Sequence, residues 1–244
     1  MLVLRLIAVG SLLAASAFFG SGILARGLRT RQMPELCLGT ALLGMGVLAV
    51  PLQAVAVLGL RDLPELGGIL LGAGLFFGNL GALAAAGFVW KVFRPGSSWA
   101  REMVAGFGIL LATSWLGQAM VVGFATSQLT SLASATGFAL RASVLLWAAL
   151  EAWRYWAQLR RRELLGLSDP LVTTRFYWAA VGFSAAVVSL SLPVVAFLAG
   201  LDLARSVALT GASAGFSLTV ACSIWFACAP PGVLRRRAQF PQRA

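Results

Sequence analysis

The chain has 244 residues, of which 59% are hydrophobic and only 11% charged, and its formal net charge is +11. Soluble domains are about 45–50% apolar and ~25% charged, so the composition excludes an ordinary soluble protein. The positive charge is spread over short gaps between long apolar runs, a distribution that membrane topology explains without nucleic-acid binding.

Seven apolar runs follow one another along the chain, and each reaches the ~20 residues that a membrane-spanning helix needs. They predict an all-α protein with helices over approximately 3–25, 36–60, 67–90, 103–126, 132–164, 170–200 and 204–229. The runs leave no room for a soluble domain. We therefore expect one seven-helix bundle over residues 1–232 and a basic cytoplasmic tail over 233–244.

The first run also has features of a signal peptide, including the Ala15-Ser16-Ala17 sequence. We expect an uncleaved helix instead, because the apolar stretch is long and its stronger positive flank follows it. Cleavage near Phe18 would leave six helices.

Basic residues concentrate in alternate gaps between the runs. These gaps, the helix ends that flank them and the tail contain Arg26, Arg29, Arg31, Lys91, Arg94, Arg101, Arg154, Arg160, Arg161, Arg162, Arg175, Arg235, Arg236, Arg237 and Arg243. The other side has only Arg5, Arg61 and Arg205. Because Lys and Arg accumulate on the cytoplasmic side, the N-terminus is predicted outside and the C-terminus in the cytoplasm. The same residues would attract anionic lipid headgroups.

Two prolines, Pro51 and Pro193, fall inside the second and sixth runs. Each is expected to kink its helix, because proline removes one backbone hydrogen bond and clashes with the preceding turn. Either kink could form a pocket wall or hinge, or could serve packing alone.

The fifth helix is expected to be long enough to project into the cytoplasm. Its end and the following turn carry Arg160, Arg161, Arg162, Asp169 and Arg175. One interpretation of this surface is an interfacial anchor. The other is a docking surface for a cytoplasmic signalling partner.

Several kinds of chemistry are missing. The chain has no His, which excludes His-ligated metal or haem and His-activated nucleophiles. Cys37, Cys222 and Cys228 have neither metal-ligand nor redox spacing. We therefore predict no catalytic residue, metal site or cofactor, and do not expect an enzyme.

Arg141 is the basic residue that topology does not explain, since it falls inside the fifth run, about 10 Å below its outer end at 1.5 Å per residue. Its guanidinium could snorkel to the outer headgroups. Alternatively, it faces a polar pocket and binds an anion. Residues expected at similar or slightly greater depth, which would complete this outer-half pocket, are Gln53, Asn79, Gln118, Trp115, Ser191 and Ser213.

The segment Arg160-Arg161-Arg162-Glu163-Leu164-Leu165-Gly166-Leu167-Ser168-Asp169-Pro170-Leu171-Val172-Thr173-Thr174-Arg175-Phe176 resembles an intracellular element of bacterial seven-helix integral membrane proteins. Some of those proteins resemble the membrane input modules of signalling proteins. The resemblance implies the topology already given and favours sensing. The excess of Arg over Lys is also typical of GC-rich bacterial genomes, so the expected location is a bacterial inner membrane.

The sequence therefore favours a receptor or sensor with a small-molecule ligand in the outer half and a basic cytoplasmic relay surface. Two alternatives remain open, namely a small-solute transporter and a structural subunit of a membrane complex. The expected protein partner is either a cytoplasmic signalling protein or further copies of the same chain.

Overall fold

The structure is a computed structural model that describes residues 2–59, 63–124, 132–201 and 206–229. All regular structure within these ranges is helical. Seven of the helices described are long and apolar enough to cross a membrane, which confirms the predicted all-α class and helix number. The predicted tail over 233–244 lies outside the described residues, as do Arg61 and Arg205.

The helix bounds extend beyond several of the apolar runs, because backbone hydrogen bonding continues into polar turns that hydropathy does not detect. Six helices are regular: α1 Leu2–Thr30, α3 Pro64–Phe93, α4 Ser98–Val122, α5 Leu132–Leu164, α6 Pro170–Leu198 and α7 Val207–Cys228. The second, α2, runs from Met33 to Gly59 in four segments.

The two expected proline sites differ. In α2, Pro51 lies in the short α-helical segment Val50–Ala54 between two π-helical segments, Leu43–Ala49 and Val55–Gly59. In α6, Pro193 lies inside a helix that continues to Leu198. The wider turns around Pro51 are of a kind often found at functional sites.

Local sequence explains the turn between α5 and α6. Gly166 has a φ of +71°, in the left-handed region that glycine adopts after a helix end. The Asp169 side chain then accepts a hydrogen bond from the Leu171 backbone N–H at 2.8 Å, and Pro170 occupies the first turn of α6. This turn therefore depends on capping interactions between residues that are close in sequence.

Six helices form a closed ring in the order α1, α2, α3, α5, α6, α7, with α7 returning to α1. The remaining helix, α4, packs against α3 and α5 from outside this ring. Close approach of α2 and α3 depends on glycine. A Cβ on Gly44 would lie 2.9 Å from the Phe77 carbonyl oxygen, and one on Gly81 would lie 2.8 Å from the Met45 backbone nitrogen.

One end of the bundle, here called the basic end, is where α1, α3 and α5 finish and α2, α4 and α6 begin. Arg26 near the end of α1 forms an ion pair with Glu35 at the start of α2, with Nε and Oε1 3.0 Å apart. The rings of Phe93 in α3 and Phe176 in α6 lie 5.9 Å apart. Contacts across this end therefore join consecutive and non-consecutive helices.

Candidate functional site

The Arg141 side chain lies inside the bundle, with the residue only 3% exposed. Its Nε donates a hydrogen bond to the Gly137 carbonyl oxygen at 3.2 Å, one turn earlier in α5. The guanidinium carbon lies 4.7 Å from the centre of the Phe138 ring, a cation–π distance. The side chain is thus directed into protein rather than towards the surface.

Two glycines make room for this guanidinium. A Cβ on Gly78 of α3 would lie 3.1 Å from Nη1, and a Cβ on Gly137 would lie 3.7 Å from Nη2. A Cβ on Gly78 would crowd the cation, whereas the separation at Gly137 is an ordinary van der Waals contact. The charged group therefore occupies a space that α3 and α5 leave between them.

Arg141 lacks a counter-charge in the part of the chain that the structure describes. None of the ion pairs found there includes it, and neither Nη1 nor Nη2 donates a hydrogen bond to a described residue. Four further buried polar atoms lack partners there, and two of them, Ser114 Oγ on α4 and Asn79 Oδ1 on α3, belong to the helices that pack near Arg141. Burial of unpaired polar groups is costly, so such groups require an explanation.

Gln118 of α4 lies next to Gly137, which also borders the Arg141 guanidinium. A Cβ on Gly137 would lie 2.5 Å from Gln118 Nε2 and 3.4 Å from Ser114 Oγ, so both groups lie near the Arg141 guanidinium. Gln118 Nε2 donates to the Ala133 carbonyl oxygen at 2.8 Å, which holds the side chain across α4 and α5.

Three more of the predicted pocket residues belong to α3 or contact it. Asn79 Nδ2 donates to the Leu111 carbonyl oxygen at 3.2 Å, and Trp115 Nε1 donates to the Gly72 carbonyl oxygen at 2.9 Å. Gln53 of α2 contacts α3 at Gly74, where a Cβ would lie 2.9 Å from Gln53 Cγ. Gly74 is one turn from Gly78, so Gln53 is a neighbour rather than a direct contact of Arg141.

Ser191 and Ser213 are not joined to this group by any hydrogen bond within the described ranges. Ser191 Oγ donates to the Val187 carbonyl oxygen of its own helix at 2.8 Å. Ser213 lies on α7, which packs against α1 and α6 rather than against α3 or α4. The part of the expected pocket that lies near Arg141 therefore comes from α3, α4 and α5. We call this group, which consists of Arg141, Gly78, Ser114, Gln118 and Gly137, the Arg141 site.

A second charged group lies at the basic end. The Glu151 carboxylate is buried, with the residue 4% exposed. Its Oε1 accepts hydrogen bonds from Arg94 Nε and Nη2 at 3.1 and 3.0 Å, and lies 3.4 Å from Arg154 Nη1. We call Arg94, Glu151 and Arg154 the Glu151 cluster.

A cavity of about 300 Å³ opens beside this cluster. It is lined by Phe93, Arg94, Glu151, Arg154, Tyr155, Ala157, Gln158 and Arg161. Arg161 belongs to no ion pair formed within the described residues. The wall therefore has two more positive than negative charges, although one carboxylate is built into it.

The surface predicted around the α5–α6 turn is divided among several roles. Arg160 Nη1 lies 3.3 Å from Glu163 Oε1, Arg161 faces the cavity, and Asp169 caps α6. Arg162 and Arg175 are exposed. The predicted basic surface therefore includes one side chain that lines the cavity.

Sequence reasoning did not find the Glu151 cluster as a site. Its only sequence signal is Glu151 and Arg154 at i and i+3, which lie on one helix face. Arg94 is 57 residues before Glu151, so only the packing of α3 against α5 joins them. The sequence likewise did not predict that Gly78 and Gly137 lie next to the Arg141 guanidinium.

No protein-family model, curated protein or solved structure matches this chain. Its function must therefore be inferred from its own residues.

Proposed function

We propose that this protein is a bacterial inner-membrane receptor or sensor that binds a small anionic ligand at the Arg141 site. The observation that carries the proposal is the buried guanidinium of Arg141, whose Nη1 and Nη2 have no partner within the described residues. An arginine fork binds a carboxylate bidentately, and an anion there would offset the cost of burying the charge.

The proposed orientation has the N-terminus outside and the basic end in the cytoplasm, as the distribution of Lys and Arg favours. In this orientation the Arg141 site lies in the outer half of the bundle. Helix α5 contains both Arg141 and the basic residues Arg160–Arg162, so it is the proposed relay from ligand to cytoplasmic partner.

A small-solute transporter is the second candidate, and the winding of α2 favours it. The π-helical segments on both sides of Pro51 pack on α3, the helix that contacts Arg141 through Gly78. Helices with such irregular turns tolerate rearrangement, which alternating access requires.

Ligand-dependent stability tests the shared binding step. The purified full chain in neutral detergent would be titrated with the sodium salts of acetate, butyrate and succinate while its unfolding temperature is measured. An anion at 100 times its Kd should stabilise the protein by about 2.7 kcal/mol. Arg141→Leu should abolish the shift, whereas Arg101→Gln, which removes an exposed arginine on α4, should retain it.

Equal responses of Arg141→Leu and the wild type, or no response to any of the three anions, would contradict the proposal. Uptake of a bound anion into proteoliposomes would separate the two candidates. Uptake that is lost in Arg141→Leu supports transport, and binding without uptake supports sensing.

A further inference from the structure

We propose that the cavity beside the Glu151 cluster is a binding site for a phosphate group. This site is separate from the Arg141 site, because Glu151 is ten positions further along α5 than Arg141, or about 15 Å at 1.5 Å per residue. Neither proposal depends on the other.

The charge of the cavity wall selects an anion. Glu151 Oε1 engages Arg94 and Arg154, but a single carboxylate cannot neutralise both of them together with Arg161. The Arg94 and Arg154 side chains remain 37% and 65% exposed, so their guanidinium groups retain donors that an incoming ligand can reach. Arginine forks match the geometry of phosphate oxygens.

Glu151 has a positioning role in this arrangement. Its buried carboxylate fixes Arg94, whose guanidinium carbon also lies 5.7 Å from the centre of the Trp99 ring. A cation held from two sides loses little further rotamer freedom when a ligand binds. The guanidinium of Arg94 is therefore held in one arrangement before any anion arrives.

The cavity has a volume and polar lining groups that are typical of a small-molecule site. A cavity of about 300 Å³ is at the lower end of the roughly 300–1,000 Å³ that small-molecule pockets span. Tyr155 and Gln158 add neutral polar groups. The Tyr155 ring packs against Phe176 with ring centres 4.6 Å apart, and Phe93 packs on both rings, so three aromatic rings in mutual contact support this wall.

The level of the cavity favours phosphate over other anions. Trp153, Trp156 and Tyr177 form an aromatic cluster at the same end of α5 and α6, with ring centres 5.3 to 5.8 Å apart. Trp and Tyr concentrate at the headgroup level of membranes, where phosphate is the abundant anion. The phosphate could belong to an anionic lipid headgroup or to a soluble phosphorylated ligand, and the two sources share the same recognition chemistry.

Calorimetric titration of the purified full chain in neutral detergent tests the proposal. The probes are dihexanoyl phosphatidic acid, inorganic pyrophosphate and, as a zwitterionic control, dihexanoyl phosphatidylcholine. Binding of phosphatidic acid without pyrophosphate would assign the site to lipid. Binding of pyrophosphate would show that a free phosphate group suffices. Binding of neither, or equal binding of phosphatidylcholine and phosphatidic acid, would overturn the proposal.

Matched variants locate the binding. Arg161→Gln should weaken binding of the responding probe about tenfold, because one charge-assisted hydrogen bond is lost. Arg162→Gln removes the same charge from the next residue, which is exposed and outside the cavity wall, and should change the affinity less than twofold. Equal losses in the two variants would overturn the proposed location.

A charge pair at one position gives an independent readout. Gln158 is exposed on the cavity wall, so its replacement should not disturb the fold. Gln158→Glu should weaken binding and Gln158→Lys should strengthen it, each by several-fold. Unchanged affinity in both variants would contradict the site even if Arg161→Gln proved unstable.

Discussion

The two charged centres of α5 solve the burial of charge in opposite ways. At the Arg141 site a buried cation has one backbone partner and no ion pair within the described residues. At the Glu151 cluster a buried anion is bonded to Arg94 and lies next to Arg154. The buried charge of the second centre is paired within the protein, whereas the described residues supply no ion pair to the first, which is why we propose an anionic ligand there.

Loss of Arg94, which donates two hydrogen bonds to the Glu151 carboxylate, should have the largest effect on the free energy of unfolding. Arg94→Gln would leave the Glu151 carboxylate buried with only Arg154 beside it, 3.4 Å from Oε1. We expect the free energy of unfolding to fall by about 2 to 3 kcal/mol, measured by denaturation in mixed micelles. Arg101→Gln, which removes an exposed arginine, is the matched control. A loss of stability there as large as that of Arg94→Gln would contradict a specific role of the Arg94–Glu151 pair.

Removal of the unpaired Arg141 cation should raise the free energy of unfolding, whereas removal of Arg94 should lower it. Arg141→Leu eliminates a buried charge while it gives up one hydrogen bond and the contact with Phe138. Without ligand, we expect the free energy of unfolding to rise by about 1 kcal/mol in the same assay. A loss of stability as large as that of Arg94→Gln would mean that Arg141 is a structural residue whose charge is already compensated.

The space around Arg141 can be examined by a double-mutant cycle. A Cβ on Gly78 would lie 3.1 Å from Nη1, so Gly78→Ala crowds the guanidinium specifically. The substitution should be less harmful in the Arg141→Leu background, with a coupling energy of about 0.5 to 1 kcal/mol. Gly22→Ala on α1 meets open space and should show no coupling with Arg141→Leu. Additivity of Gly78→Ala and Arg141→Leu would contradict the contact.

The smallest effect is expected at an exposed ion pair near the same end as the Glu151 cluster. Arg160 and Glu163 lie at i and i+3, with Nη1 and Oε1 3.3 Å apart, and the Arg160 side chain is 55% exposed. Arg160→Gln should lower the free energy of unfolding by less than about 0.5 kcal/mol, and high salt should abolish this difference. The Arg94→Gln effect should largely persist in high salt, because Glu151 is buried. If high salt reduced the effects of Arg160→Gln and Arg94→Gln equally, the two ion pairs would not differ in solvent screening, contrary to this prediction.

Patterns that repeat along the chain were predictable. Seven apolar runs correspond to seven helices because a bilayer requires one long helix per crossing. The caps of the α5–α6 turn are also local, because Gly166 and Asp169 lie next to the helix ends in sequence. Helix ends were less predictable. The apolar run at 103–126 corresponds to a helix that begins at Ser98, where polar residues extend the hydrogen-bonded turn.

The sequence by itself determined helix number, the position of the basic residues and the presence of one cation inside an apolar run. Only the tertiary structure decided which residues meet. It placed Gly78 and Gln118 beside Arg141, left Ser191 and Ser213 apart, and joined Arg94 to Glu151 across 57 residues. The physical reason is that hydropathy and capping depend on neighbours in sequence. The faces that meet depend on the order of helices in the ring and on where glycines allow two helices to approach.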